Sequence, residues 1–285
     1  MGKDRFAEIL NLAFFQRKMD AQKSDYGRLL LLGGSAIYPN ALLLAGKGAQ
    51  AAGPGYLSFH ADPEVRLITK RRAPLTAIYL DELREDSIKP YDAFVFGNGL
   101  KESPENEAKL HMLLSHLEEH QILLVDATGI KMFLKARELC HPNGKILLTP
   151  HLGEAASLFG KKSISKQAED YLDSAAAFSK KNGVYLLLKG YHSLLIGPLG
   201  EVFPSDYPPT PSLAKAGSGD VLAGFLGGLL SYLPRFGVSF METIRFGDRL
   251  FHLCFQEAER KESQALLSPS DFLKTLKSFL KRHRP

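Results

Sequence analysis

An open, mostly parallel, doubly wound α/β sheet with a short antiparallel hairpin at one side is the fold class predicted for this 285-residue chain. Three observations predict it. Solidly apolar runs recur at residues 29–32, 93–96, 122–125, 146–148 and 184–188, and strands that are hydrophobic throughout belong to sheets covered on both faces. Helix-patterned stretches at 105–120, 167–180 and 220–232 separate many of them, the alternation that favours parallel pairing through crossovers. Residues 193–203 read as two short strands around Gly197-Pro198-Leu199-Gly200, a hairpin and not a crossover.

The remaining segments fit that frame. Residues 4–18 carry Phe6, Ile9, Leu10, Ala13, Phe14 and Arg17 at helical spacing, so an amphipathic N-terminal helix within 1–20 is expected to pack on the rest. No long linker, low-complexity segment or repeat interrupts the chain, and one domain over 1–285 is expected. A 45% hydrophobic content with 24% charge is that of a globular protein with a sizeable core. The net charge of +5 attracts phosphorylated small molecules but is weak grounds for nucleic-acid binding. Lys277, Lys281, Arg282, His283 and Arg284 read as the solvated end of a helix. Cys140 and Cys254 lie outside any CxxC pair, so neither a disulfide framework nor a zinc site is expected. With no membrane-length apolar run and no secretory h-region, the expectation is a cytoplasmic protein without a membrane partner.

Ligands of open α/β sheets sit beyond the carboxyl ends of the strands, and the polar, glycine-rich segments gather there. Gly33-Gly34-Ser35, Gly97-Asn98-Gly99, Asp126, Thr149-Pro150-His151 and Lys189-Gly190 each follow an apolar run. Alone, each is an ordinary turn. Five together predict one shared crevice.

The sharpest element is Ala216-Gly217-Ser218-Gly219-Asp220, followed at once by an apolar helix. Its glycines let the backbone turn tightly against a ligand, and the helix start offers free N–H groups and a positive dipole end to phosphate. Asp220 is either an N-cap or a base that takes a proton from a reacting hydroxyl. A helix start lowers a carboxyl pKa, whereas a polyphosphate beside it raises it. Lys189 at its strand end meets a phosphate as a point charge or lies on the surface. His151 is aimed by Pro150, and Glu154 opens the next helix; His111, His116 and His120 read as exposed. Neither a Walker A loop nor a Rossmann fingerprint occurs, so phosphate binding rests on 217–220.

In order and spelling, these loops resemble those of the ATP/ADP-dependent NAD(P)H-hydrate dehydratases, a ribokinase-like family that repairs hydrated nicotinamide cofactors. The similarity runs from about Gly27 to Leu230. Residues 33–41 (GGSAIYPNA) resemble the family's first substrate loop, and 49–56 the small-residue turn after the first helix. Gly97-Asn98-Gly99-Leu100 resembles its Gly-Pro-Gly-Leu-Gly loop, and Val125-Asp126-Ala127 its Asp-Ala-Asp strand end. Thr149-Pro150-His151-Leu152-Gly153-Glu154 resembles its Thr-Pro-His-Pro-Gly-Glu turn, and residues 213–224 its anion-hole signature.

The resemblance implies a ribokinase-like three-layer α/β/α fold and a lyase that uses ATP or ADP. The C6 hydroxyl of NAD(P)HX is phosphorylated and phosphate then leaves, restoring NADH or NADPH. It implies that Ala41, Gly99, His151 and Asp220 contact the hydrated nucleotide, with Asp220 catalytic. Lys189, Gly190, Tyr191, His192, Ser193 and Gly219 would hold the adenine nucleotide, and Gly217, Ser218 and Gly219 the anion hole. Mg²⁺ accompanies the nucleotide with no protein ligand assigned. A homo-oligomer is implied, and no epimerase segment is expected. The chain departs from the family's spelling at Asn40 (Gly), Asn98 (Pro), Lys101 (Gly) and Thr128 (the second acid of Asp-Ala-Asp). Lys215 stands at a usually small or hydroxylated position. Asn tolerates left-handed backbone, so Asn40 and Asn98 are expected to keep their turns; Thr128 removes a carboxylate, and Lys215 either adds a phosphate contact or obstructs the hole. Two other readings stay open: a kinase of the same fold acting on a hydroxymethylpyrimidine-, thiazole- or pyridoxine-type substrate, and a nucleotide-binding module without turnover.

Overall fold

The computed structural model describes residues 1–73, 77–140, 142–161, 170–190 and 192–284. Among them nine strands form one sheet: β1 (Arg28–Gly33), β2 (Tyr56–Ala61), β3 (Ala77–Tyr79), β4 (Ala93–Phe96), β5 (Ile122–Val125), β6 (Lys145–Leu148), β7 (Tyr185–Leu188), β8 (Leu194–Ile196) and β9 (Val202–Pro204). Their order is β3-β2-β1-β4-β5-β6-β7-β8-β9. β1 to β7 pair in parallel, and β8 and β9 extend the sheet antiparallel through the expected hairpin.

The helices are α1 (Lys3–Phe14), α2 (Pro39–Ala52), α3 (Arg66–Arg72), α4 (Glu85–Ile88), α5 (Pro104–Ser115), α6 (Thr128–Arg137), α7 (Leu152–Leu158), α8 (Asp170–Asn182), α9 (Ser218–Leu230), α10 (Phe240–Glu259) and α11 (Phe272–Arg282). Successive strand residues point to opposite faces, and β1 divides its leucines accordingly. Leu29 and Leu31 join the core under α1, α2, α9, α10 and α11, while Leu30 and Leu32 join that under α5 to α8. This is the three-layer arrangement expected from uniformly apolar strands.

Several expectations need adjusting. The N-terminal helix stops at Phe14, short of 18; Arg17 lies beyond it, its guanidinium 4.1 Å from the Tyr26 ring centroid and bonded to the Gly53 carbonyl. The helix expected over 105–120 ends at Ser115, because His116 leaves helical geometry. Of 167–180, residues 170–180 lie in α8 and 167–169 fall outside the described residues. The apolar helix opens at Ser218, two residues early, and ends at Leu230. Residues 49–52 finish α2, Gly53 caps it in the left-handed region, and Tyr56 begins β2, so the small-residue turn is shorter than expected. Neither Asn40 nor Asn98 uses left-handed backbone; Ala127, at φ 49, is the non-glycine that does among the described residues.

The α2–α9 contact positions the site. A Cβ on Gly48 would lie 2.0 Å from the Val221 carbonyl oxygen, and one on Gly224 1.8 Å from that of Ala45. The two backbones therefore touch where side chains would hold them apart. Gly48→Ala is expected to push the helices apart, lowering stability by about 1–3 kcal/mol, measured by urea denaturation. A loss below a few tenths of a kcal/mol would show that the seam yields freely.

Candidate active site

The loops after β1, β4, β5, β6 and β7 converge. Gly34 N–H donates to the Asn98 carbonyl at 2.9 Å. The buried Asp126 carboxylate sits centrally: its Oδ1 accepts from Thr149 Oγ1 at 2.8 Å and Lys189 Nζ at 2.5 Å, and its Oδ2 from Asn98 Nδ2 at 2.9 Å. The same Asn98 amide donates to Asp220 Oδ1 at 2.7 Å. The predicted crevice is therefore real, and Asp126 is its hub.

Asp220 stands in the first turn of α9, behind an N-cap glycine, Gly217, at φ 93. Its pKa is raised to about 6, first by burial and then by the neighbouring Asp126 charge; the Asn98 hydrogen bond and Lys189 pull the other way. The shift needs no polyphosphate, contrary to the sequence expectation. A carboxylate near neutrality is ionised at pH 7 yet basic enough to take a proton.

Lys189 is no loose surface lysine. Burial alone would pull its pKa down, but Asp126, Glu154 and Asp220 outweigh that and leave it above its ordinary value. A Cβ on Gly219 would come 3.0 Å from its Nζ, so the ammonium lies against the start of α9, where backbone amides lack intrahelical partners. The Ser218 hydroxyl is buried there without a hydrogen-bond partner. Positive charge, a helix start and an unspent hydroxyl lie close together here, a composition that suits an anion.

Beside it opens a cavity of about 670 Å³. Its lining combines polar positions at Lys189, Gly190, Ser193, Ser218 and Gly219 with apolar ones at Pro211, Leu222 and Phe251. Polar groups at a helix start and apolar side chains in one cavity suit a phosphate and a planar base respectively. His151 lies on the same wall, its side chain 63% exposed. It caps α7: Nδ1 accepts from the Gly153 and Glu154 N–H groups at 3.0 and 3.2 Å, while Glu154 Oε2 accepts the His151 N–H at 2.8 Å. With Nδ1 accepting, the neutral ring carries its proton on Nε2.

Ala41 and Gly99 are also neighbours: a Cβ on Gly99 would meet that of Ala41 at 2.7 Å and the Tyr38 carbonyl oxygen at 2.6 Å. His192 is exposed and is not among the cavity-lining residues, and Tyr191 lies outside the described residues. His111, His116 and His120 are exposed, as expected, and Cys140 and Cys254 are free and buried. Lys215 lines the same cavity as Lys189, Ser218 and Gly219, while its ammonium donates to the carbonyls of Gln264, Ala265 and Leu267 and ties down the loop before α11.

A polar set missed by sequence reasoning reaches the cavity wall through Thr210, Ser193 and His252. His252 Nδ1 is 2.9 Å from Thr210 Oγ1, and its ring stacks on Tyr207 at 4.5 Å. Burial drives its pKa down to about 4, so the ring is neutral. Asp248 accepts from the Tyr207 hydroxyl and from Ser193 Oγ, and burial pushes it up to about 7. The available signal was Asp248 and His252 at i, i+4 within an otherwise apolar helix face.

The donor set does not build a protein-held Mg²⁺. Both Asp126 oxygens are engaged, Thr128 offers no carboxylate, and no group of three acidic, His or Cys residues among those described could hold a metal.

A mostly parallel nine-stranded sheet ending in an antiparallel hairpin, with helices on both faces and a buried carboxylate at a helix start beyond its carboxyl edge, is a ribokinase-like α/β fold. A solved ribokinase-like superfamily protein of Enterococcus faecalis agrees, with a TM-score of 0.82 at 23% identity, covering 97% of this chain and 94% of that one. A family model described as NAD(P)H-hydrate dehydratase matches residues 29–237, and the chain belongs to that family. It is 30% identical over 273 residues to the bifunctional NAD(P)H-hydrate repair enzyme Nnr of Moorella thermoacetica, covering 90% of this chain and 50% of the relative. It is 28% identical over 280 residues to the ADP-dependent (S)-NAD(P)H-hydrate dehydratase of Streptococcus pneumoniae, covering 96% and 93% respectively. The chain thus spans about half the length of the bifunctional relative and nearly all of the dehydratase.

Proposed function

We propose that this chain uses ADP or ATP to dehydrate (6S)-NAD(P)HX to NAD(P)H. The observation that carries this reading is Asp220: a buried carboxylate with a pKa of about 6 at the start of α9, next to Lys189 and the open helix amides. Family membership supplies the substrate class.

Asp220 takes the C6 hydroxyl proton as that oxygen attacks the terminal phosphorus, and AMP or ADP leaves with the electrons of the broken bond. The Gly217–Gly219 backbone and Lys189 oppose the charge on the transferring group, an electrostatic role that needs no movement during reaction. The C6–O bond then breaks, phosphate leaves with its electron pair, and loss of the adjacent C5 proton restores the ring double bond. Ala41, Gly99 and His151 contact the hydrated nucleotide, while Lys189, Gly190, Tyr191, His192, Ser193 and Gly219 hold the adenine nucleotide. Mg²⁺ enters as the counter-ion of the nucleotide's phosphates, and no step runs through a protein-held metal.

The test incubates purified protein with hydrated NADH, Mg²⁺ and either ADP or ATP, following the return of dihydronicotinamide absorbance. Recovery with at least one nucleotide is expected. No recovery with either would sink the proposal, and a stable phosphorylated hydroxymethyl product would replace it with a kinase.

A further inference from the structure

We propose that Asn98 is a positioning residue for the base: its side-chain amide bridges Asp126 and Asp220 and fixes the direction in which the Asp220 carboxylate points. This rests on reading Asp220 as the base.

Asn98 is 1% exposed and donates 2.9 Å to Asp126 and 2.7 Å to Asp220. Both neighbours are carboxylates, which accept and do not donate when ionised, so only the NH₂ end of the amide can face them. The consequence falls on its other end: Asn98 Oδ1 is buried with no hydrogen-bond partner. An amide recruited merely to knit two loops would satisfy both ends, as buried polar groups usually do. Here one end goes unmatched so that the other can hold two acids.

The neighbours explain why such a donor is needed. Asp126 from the end of β5 and Glu154 from α7 oppose ionisation of Asp220, and Lys189 from the end of β7 favours it. Lys189 is committed to Asp126 at 2.5 Å. Asn98 is the side-chain donor bonded to Asp220.

A donor to the ionised carboxylate favours that form. Its removal therefore raises the pH at which Asp220 loses its proton. The test uses full-length protein with ¹³C-carboxyl-labelled aspartate, in wild type, Asn98→Leu and Asn98→Ala, with the Asp220 resonance assigned by its loss in Asp220→Asn. The Asp220 midpoint is expected to rise by about one pH unit in the Asn98 variants. The acid limb of kcat/KM moves with it, an activity loss of about five-fold at pH 6 beyond any change at pH 9. In the wild type, the Asn98 side-chain NH₂ resonances titrate with the Asp220 midpoint, a readout that stands if neither variant folds. An unmoved or lowered Asp220 midpoint in a folded variant, or NH₂ resonances blind to Asp220, overturns the proposal. Absent turnover in the wild type would count against the dehydratase reading alone, since the titrations decide Asn98 without it.

Discussion

Asp220→Asn is expected to lower turnover by about 10³-fold while making the protein more stable. The first effect follows from the loss of the proton acceptor at the reacting hydroxyl. The second comes from linkage. The folded pKa of Asp220, about 6, lies above its ordinary 3.8, so the native state prefers the protonated acid. Its contribution is fully present below about pH 4 and is lost as pH rises through 6. At pH 7 the wild type holds a carboxylate that burial and Asp126 disfavour, and a neutral amide removes that cost, about 1–3 kcal/mol. Urea denaturation at pH 7.5 and pH 4 checks this: the variant should gain stability at the higher pH and little at the lower. A destabilised variant at pH 7.5 would mean that Asp220 is held chiefly as a structural cap. Functional sites commonly carry this kind of conflict between stability and activity.

Lys189→Met has the opposite sign. It leaves the Asp126 carboxylate, 2% exposed at its side chain, without the ammonium 2.5 Å away. Breaking a buried pair by removing one partner typically costs about 3–5 kcal/mol, because the other charge stays buried. The raised pKa of Lys189 means its stabilising contribution is present below the ordinary lysine pKa and lost only as pH rises through the higher folded one. The deficit should therefore persist across pH 6–9. Nucleotide affinity should fall as well, since the same ammonium faces the start of α9. A chemical-denaturation loss under about 1 kcal/mol at pH 7 would show that Thr149 and Asn98 suffice to hold Asp126.

What could be read in advance follows from chemistry local in sequence. β1, β4, β5, β6 and β7 were visible because both of their faces are buried, which leaves uninterrupted apolar runs. β2 was not: Ser58 and His60 are buried within it and break the run, and β3 is a three-residue edge strand. α10 was hidden by Asp248 and His252 on its inner face. In the site, Asp220 and Lys189 were legible because a glycine-rich helix start and a strand end each have a physical signature. The role of Asn98 was not. Its residue type suggested a tolerant turn, whereas its use depends on Asp220, 122 residues away in sequence. The tether of Lys215 was hidden for the same reason, the partners of its ammonium being carbonyls about fifty residues on.

Strand order also sets when this sheet can be closed during synthesis. β1 gains β2 early, but its other neighbour, β4, emerges only after β3. From β4 onward each strand is laid beside its predecessor, so that edge grows as the chain lengthens. The helical cover on one face lags behind: α9, α10 and α11 follow all nine strands. Leu29, Leu31, Val95 and Leu124, packed in the layer those helices complete, stay partly bare on the ribosome until then. Late, non-local closure of this kind is slow and leaves a nascent chain open to association. The first helix to cover that layer, α9, also brings Asp220, so a chain that stops before it has neither this cover nor that carboxylate.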